Sequence, residues 1–176
     1  EYADKYIGDL IDGLKKRGIY DDSVIVFTAD HGEEFHEHGG WWHGLSLYDE
    51  QIGVPFMIKL PKNQLGGQTD SFMARHVDIG PTLLTLANVN PDEIAAAGMQ
   101  GEPLFTADNP GQFKDVSGGQ VYSHLNFEGI ELRALRTPDY KIIHSNENKR
   151  HYKPVELYHV STDPGEQTNI AGSGDA

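Results

Sequence analysis

The sequence predicts an α/β fold followed by a small antiparallel sheet, and three observations carry that expectation. Ile7, Leu10, Ile11 and Leu14 recur at i, i+3, i+4 and i+7 ahead of the run Val24-Ile25-Val26-Phe27-Thr28, so an amphipathic helix feeds a buried strand. A second strand is expected over residues 54–60 and a second helix over residues 81–87, which suits one flank of a sheet with helices on its faces. After about residue 90 the character changes, and beyond a loop over residues 109–120 come short strand-like runs separated by turn residues.

Each element has a local reason. Gly18 stands in the C′ position that closes the first helix, and Asp21-Asp22-Ser23 turns the chain into the strand. Ser46 is placed to cap a short helix through Gln51, with Asp49 and Glu50 in its first turn. Residues 61–70 form a polar loop. Pro81 takes the favoured first position of the second helix, with Asp78 or Gly80 capping it; His76 and Asp78 therefore read as a helix entry rather than a catalytic dyad. Residues 109–120 are rich in Gly, Pro and polar side chains. Strands are then expected over residues 121–127, 130–136, 140–144 and 156–160, with turns at Thr137-Pro138-Asp139 and Ser145-Asn146-Glu147-Asn148. The expected division is residues 1–108 for the α/β part and 109–176 for the antiparallel part and its tail. Residues 171–176 read as frayed, and Glu166 and Asn169 as turn and tail residues.

Composition narrows the function. A chain of 176 residues has room for one domain with a real core. Its net charge of −13 disfavours nucleic acid or an anionic membrane as the main partner. No Cys is present, so disulfides, thiolate metal sites and a Cys nucleophile are excluded. No apolar run approaches the roughly 18 residues of a membrane span, and no signal peptide precedes the first helix. The chain lacks an initiator Met and opens inside a helical pattern, as an excised piece would. Compartment stays open between periplasmic (or otherwise extracytoplasmic) and cytoplasmic.

The most informative segment is Asp30-His31-Gly32-Glu33-Glu34-Phe35-His36-Glu37-His38. A carboxylate and an imidazole sit side by side where a strand ends, which is where open α/β sheets bind ligands. Both are good ligands for a divalent cation, and Gly32 permits a sharp turn. Two plainer readings compete: a solvated acidic loop, and a zincin helix. The second fails, because His31 and His36 are five apart and His36 and His38 two. Four of the nine His (His31, His36, His38, His43) fall within 13 residues, beside Trp41 and Trp42.

From Tyr2 to Pro61 the chain resembles the second half of the sulfatases, in the alkaline-phosphatase-like superfamily. The helix ending Leu14-Lys15-Lys16-Arg17-Gly18, the Thr28-Ala29-Asp30-His31-Gly32-Glu33 block, Glu37-His38-Gly39, Ser46-Leu47-Tyr48-Asp49-Glu50 and Val54-Pro55-Phe56-Met57-Ile58 run in family order. His76-Val77-Asp78-Ile79-Gly80-Pro81, Met99-Gln100-Gly101-Glu102-Pro103, Tyr140-Lys141-Ile142-Ile143 and Glu156-Leu157-Tyr158 with Asp163-Pro164-Gly165-Glu166 continue it. Blocks in order are far more specific than any one of them.

The resemblance implies that Asp30 and His31 are metal ligands, His31 standing where many sulfatases carry Asn. Ca²⁺ is the cation a sulfatase implies, whereas an imidazole leans towards Mn²⁺ or Zn²⁺. His43 stands where many relatives carry a Lys that contacts the sulfate, so it is a catalytic and substrate-binding candidate. A His is cationic only below roughly pH 6.5 in ordinary surroundings, and the plainer reading is a bond to a loop carbonyl. His38 is a second catalytic candidate, contacting the ester or orienting a ligand. Trp42, with Trp41, can stack on a sugar or aryl group, or simply pack under its own loop. His36 reads as a solvated loop residue.

The family nucleophile, a formylglycine made in a Cys/Ser-x-Pro-x-Arg motif, has no counterpart; Ser71-Phe72-Met73-Ala74-Arg75 keeps only the ends. The expectation is half an active site: a portion of a metal-dependent sulfatase acting on small-molecule or carbohydrate sulfate esters, inactive alone. Two alternatives remain. One is a phosphodiesterase, phosphonate monoester hydrolase or phosphoglycerol transferase on the same fold. The other is an inert, non-catalytic fragment whose open apolar edge invites self-association.

Overall fold

The computed structural model describes residues 2–105, 112–146 and 152–172. The expected boundary at residue 108 and the Glu147-Asn148 part of one turn lie outside them, as do residues 109–111 of the expected loop and 173–176 of the tail. In chain order the elements are α1 Tyr2–Lys16, β1 Ile25–Thr28, β2 Glu34–Phe35, β3 Trp41–Trp42, α2 Asp49–Ile52, β4 Phe56–Lys59, α3 His76–Leu86 and α4 Pro91–Ala96. The strands β5 Val121–Phe127, β6 Ile130–Arg136, β7 Lys141–Ser145 and β8 Val155–Tyr158 follow. By packing, the chain forms two units: residues 1–27, 56–71 and 77–114, and residues 28–55, 72–76 and 115–176.

In the first unit, α1 ends as its sequence dictates. Gly18 has φ 71°; its N–H reaches the Lys15 carbonyl at 3.0 Å and the Ile19 N–H reaches the Leu14 carbonyl at 3.2 Å. That bond pair is the Schellman closure, which satisfies carbonyls the helix leaves unpaired. No α1 residue is buried, and Leu10 is 60% exposed. The strands β1 and β4 pair in a two-stranded sheet. The turn between α1 and β1 is fastened by Lys59, whose Nζ lies 4.4 Å from the Tyr20 ring and donates to the carbonyls of Tyr20, Asp21 and Ser23.

The helix α3 begins at His76, not at Pro81, so Pro81 lies inside it. Pro81 has no N–H for the Val77 carbonyl, and Gly101 packs against that carbonyl so closely that a Cβ would sit 1.9 Å from it. Asp78 is fully buried and accepts from the Glu102 N–H at 3.0 Å. Thr82 Oγ1 donates to the Asp78 carbonyl at 2.6 Å and accepts from the Leu104 N–H at 3.0 Å. Asp78 is thus a structural residue. The short α4 is capped by Asn90, which accepts from the Asp92 N–H at 2.9 Å, with Pro91 in its first turn.

In the second unit, β5-β6-β7-β8 form an antiparallel meander. Along β7 the side chains of Lys141, Ile143 and Ser145 are buried while Ile142 and His144 are exposed, the period of two that a one-sided sheet requires. Leu47, Tyr48, Ile130, Leu132, Ala134, Ile143, Tyr158 and Val160 form the core. Two polar nodes are sealed into it. Tyr48 and Tyr158 each donate to Glu156 Oε2 at 2.8 Å, and burial reinforced by that carboxylate pushes both phenols up.

The second node is Lys141. Its Nζ is 2.7 Å from Glu166 Oε1 and 2.8 Å from Asp49 Oδ1, with the Lys141 and Glu166 side chains fully buried. Arg136 stands 3.4 Å from the other Asp49 oxygen. Burial raises the Glu166 carboxyl, against the pull of Lys141. The second Glu166 oxygen accepts the Asp49 N–H at 2.6 Å. This corrects the expected start of α2: Tyr48 is its N-cap residue, with no side-chain cap. Glu166, from the tail, takes the donor that Ser46 was expected to serve. Glu166 is therefore a buried anchor, and Asn169 Oδ1 likewise fixes the tail by accepting the Leu157 N–H at 3.1 Å.

Removing one partner of a buried ion pair leaves the other uncompensated. Lys141→Met is expected to cost roughly 3–5 kcal/mol, read as a lowered urea midpoint of the chain.

Candidate metal and ligand site

The strand β1 ends at Thr28, and Ala29 and Asp30 follow. His76 Nε2–H donates to the Ala29 carbonyl at 2.9 Å, fixing the backbone just before Asp30. The Asp30 side chain is 89% exposed and its Oδ2 lies 3.6 Å from His31 Nε2. His31 Nδ1–H donates to the Gly32 carbonyl at 2.7 Å. That bond selects the tautomer and leaves the Nε2 lone pair beside the carboxylate, the arrangement metal-ligating imidazoles use. Among the described residues, no three His, Cys, Asp or Glu side chains converge as a metal site. Two donors, oxygen and nitrogen, fit one side of a divalent cation's shell.

Gly32 makes the turn possible. Its N–H donates to the Gln51 carbonyl at 2.8 Å, and a Cβ there would stand 2.0 Å from the Glu50 carbonyl oxygen. Only a residue without a side chain lets the Asp30-His31 turn lie against α2.

His43 arrives from the far side of the β2–β3 hairpin. Its ring stacks on His31 with centroids 4.0 Å apart and 25° between planes. Both Glu33 carboxylate oxygens lie 3.3 Å from His43 Nδ1. The structure therefore brings Asp30, His31, Glu33 and His43 together.

His38 sits differently. Its side chain is 11% exposed and stacks on Tyr48 at 3.6 Å. Nδ1 meets Glu50 Oε1 at 2.5 Å, and Nε2–H donates to the Glu166 carbonyl at 2.9 Å. Burial works to lower this imidazole, but the Glu166 carbonyl and the Glu50 carboxylate outweigh it and lift it above its ordinary value. Neither ring nitrogen is open to an ester in this arrangement.

Glu34 does not fit the plainer reading of this segment as a solvated acidic loop, being 5% exposed. Its carboxylate accepts from the N–H of Gly40 at 2.7 Å, the N–H of His38 at 3.2 Å and Gln51 Nε2 at 3.0 Å. It is the internal brace of a hairpin pairing Glu34 with Trp42 and Phe35 with Trp41. Strands of two residues are too short to leave a period in the sequence. Trp42 is 73% exposed and Trp41 57%, and His36 stacks on Trp41 at 5.4 Å rather than standing free.

Comparison with known proteins identifies the family. A family model described as Sulfatase matches residues 1–89. An N-acetylglucosamine-6-O-sulfatase of Bacteroides thetaiotaomicron is 30% identical over 175 residues, covering 98% of this chain and 31% of that protein. The arylsulfatase of Volvox carteri is 29% identical, over 96% of the chain and 29% of its own length. A solved structure of a protein with its substrate D-glucosamine-2-N,6-O-disulfate superposes with a TM-score of 0.79 at 30% identity, covering 98% of this chain and 34% of that one. The fold is that of the alkaline-phosphatase-like superfamily. The chain belongs to the sulfatase family, and spans about a third of the length of the relatives it matches.

Two outcomes follow from the geometry. Gly32→Ala forces the turn off α2 and is expected to cost about 1–3 kcal/mol by urea denaturation. The raised His38 contributes stability that is complete below about pH 6.5 and lost as pH rises through its folded value. His38→Gln should therefore destabilise the chain more at pH 6 than at pH 8, with unfolding midpoints compared at the two pH values.

Proposed function

We propose that the full-length protein is a metal-dependent sulfatase that hydrolyses sulfate esters of carbohydrates, and that these residues carry half of its active site. One observation supports this most: Asp30 Oδ2 and His31 Nε2 stand 3.6 Å apart at the end of β1, with the other His31 nitrogen held by the Gly32 carbonyl. The substrate class rests on the sugar named for the sulfatase relative and on the glucosamine disulfate bound in the solved neighbour.

Asp30 and His31 would hold a divalent cation, Ca²⁺ as the family implies or Mn²⁺ or Zn²⁺ as the imidazole favours. Such a cation supplies Lewis-acid polarisation of the ester oxygens. The remaining ligands and the formylglycine nucleophile come from residues outside this chain, which has no Cys and no Ser-x-Pro-x-Arg. Glu33 takes His43 Nδ1 and leaves Nε2 for an anionic ester oxygen, where a fixed donor stabilises the charge that develops in the transition state. The stack on His31 keeps that donor beside the metal ligands. His38, with both nitrogens engaged, holds its loop to Glu50 of α2 and to the tail rather than meeting substrate.

The imidazole at position 31 keeps phosphate esters as the second reading. The test compares 4-nitrophenyl sulfate with bis-4-nitrophenyl phosphate in the full-length protein, with Ca²⁺ or Mn²⁺ and after chelation. Sulfate turnover that drops at least about 100-fold on chelation and in Asp30→Ala is expected. Preferential phosphodiester turnover would overturn the sulfatase assignment. The 176-residue chain alone is expected to turn over neither ester.

A further inference from the structure

The β2–β3 hairpin carries an oddity that the ester chemistry does not use. Phe35 is 66% exposed, Trp41 57% and Trp42 73%, on strands of two residues each. The register sets Trp42 opposite Glu34, which is buried; an ideal antiparallel pair shares one face. Trp42 departs from that rule through its backbone, at φ 78°, and His36 across the loop has φ 82°. Positive φ is strained for a bulky residue, and such strain persists only where surrounding structure imposes it.

The loop between them is tied down. Glu34 ties the loop through Gly40 and His38. Gly40 lies so close that a Cβ there would stand 2.7 Å from Glu34 Oε2. The loop is braced from inside while its large aromatics face outward. Trp42 also precedes His43, whose ring rests on His31.

We propose that this hairpin is a saccharide-stacking subsite: Trp42 takes the apolar C–H face of the pyranose next to the ester, and the Phe35–Trp41 pair extends the platform to a second ring. The inference rests on the sulfatase reading above and adds the subsite to it. The chemistry favours a sugar over other occupants. An aromatic face offers large, rigid contact area at small entropic cost, and a ring with an apolar face and polar rim matches it. Glu37 stands on the same segment and accepts the Phe35 N–H at 2.5 Å. A carboxylate beside Phe35 disfavours an anionic surface and a second sulfate group, so the second ring is an unsulfated one.

Trp42→Gly in the full-length protein separates the subsite from ordinary packing, because Gly adopts positive φ without strain. Three readouts are compared with wild type: thermal midpoint, calorimetric binding of unsulfated N-acetylglucosamine and its β-1,4 disaccharide, and KM against kcat on N-acetylglucosamine 6-sulfate. The expected result is an unchanged or raised midpoint, at least about tenfold weaker saccharide binding, and a raised KM with kcat largely kept. Trp42→Phe should restore most of the binding, and Phe35→Ser should weaken the disaccharide more than the monosaccharide. A lowered midpoint in Trp42→Gly would show the indole packed against the remainder of the protein and overturn the proposal. So would equal saccharide binding by variant and wild type, or none by wild type. The calorimetric arm does not depend on which ester is cleaved, so failure of the sulfatase assignment is read separately in the turnover of wild type.

Discussion

The second unit depends on one buried cation. Lys141 enters from β7 with no exposed surface and meets Asp49 and Glu166. Two carboxylates around one ammonium would repel each other without it, and a lysine without them would be costly to desolvate. The cluster joins the first residue of α2, a strand of the meander and the C-terminal tail. Because Glu166 also accepts the Asp49 N–H, the tail caps α2 by charge and by hydrogen bond together, where an N-terminal helix dipole favours an anion.

From α2 the constraint passes to the candidate site through three contacts. The Gln51 carbonyl takes the Gly32 N–H, the Gln51 side chain reaches Glu34, and Glu50 takes His38. The Asp30-His31 turn and the aromatic hairpin are thus held by one short helix of four residues. Such a helix has little stability of its own. Its order derives from tertiary contacts, and a loop braced this way keeps the Asp30-His31 turn in a fixed position.

The distribution of charge follows a simple rule. Groups that bind within the protein are buried and paired, as Lys141, Glu156 and Glu34 are. The groups proposed to meet an external ligand remain exposed with one atom spoken for, as His31 is through Nδ1 and His43 through Glu33. His38 looks like the second kind in sequence and belongs to the first in structure. A histidine in a motif is not by itself a free imidazole.

Much of the framework was legible from local rules. Gly18 specified the end of α1, and the boundaries of β5 and β6 follow from period-two patterning and turn residues. The Asp30-His31 pair at a strand end was visible because adjacent residues need no fold to be brought together. The sequence by itself could not say that Glu166 caps a helix 117 positions away, since long-range pairing has no local signature. It placed the start of α3 at Pro81, because the Val77 carbonyl's contact with Gly101 is a tertiary fact. It likewise gave no sign that Glu34 is buried or that Trp42 takes a positive φ. Local patterning determined which segments became helix and strand; only the packed structure decided which polar groups were spent internally and which were left exposed, because burial is a property of the whole arrangement.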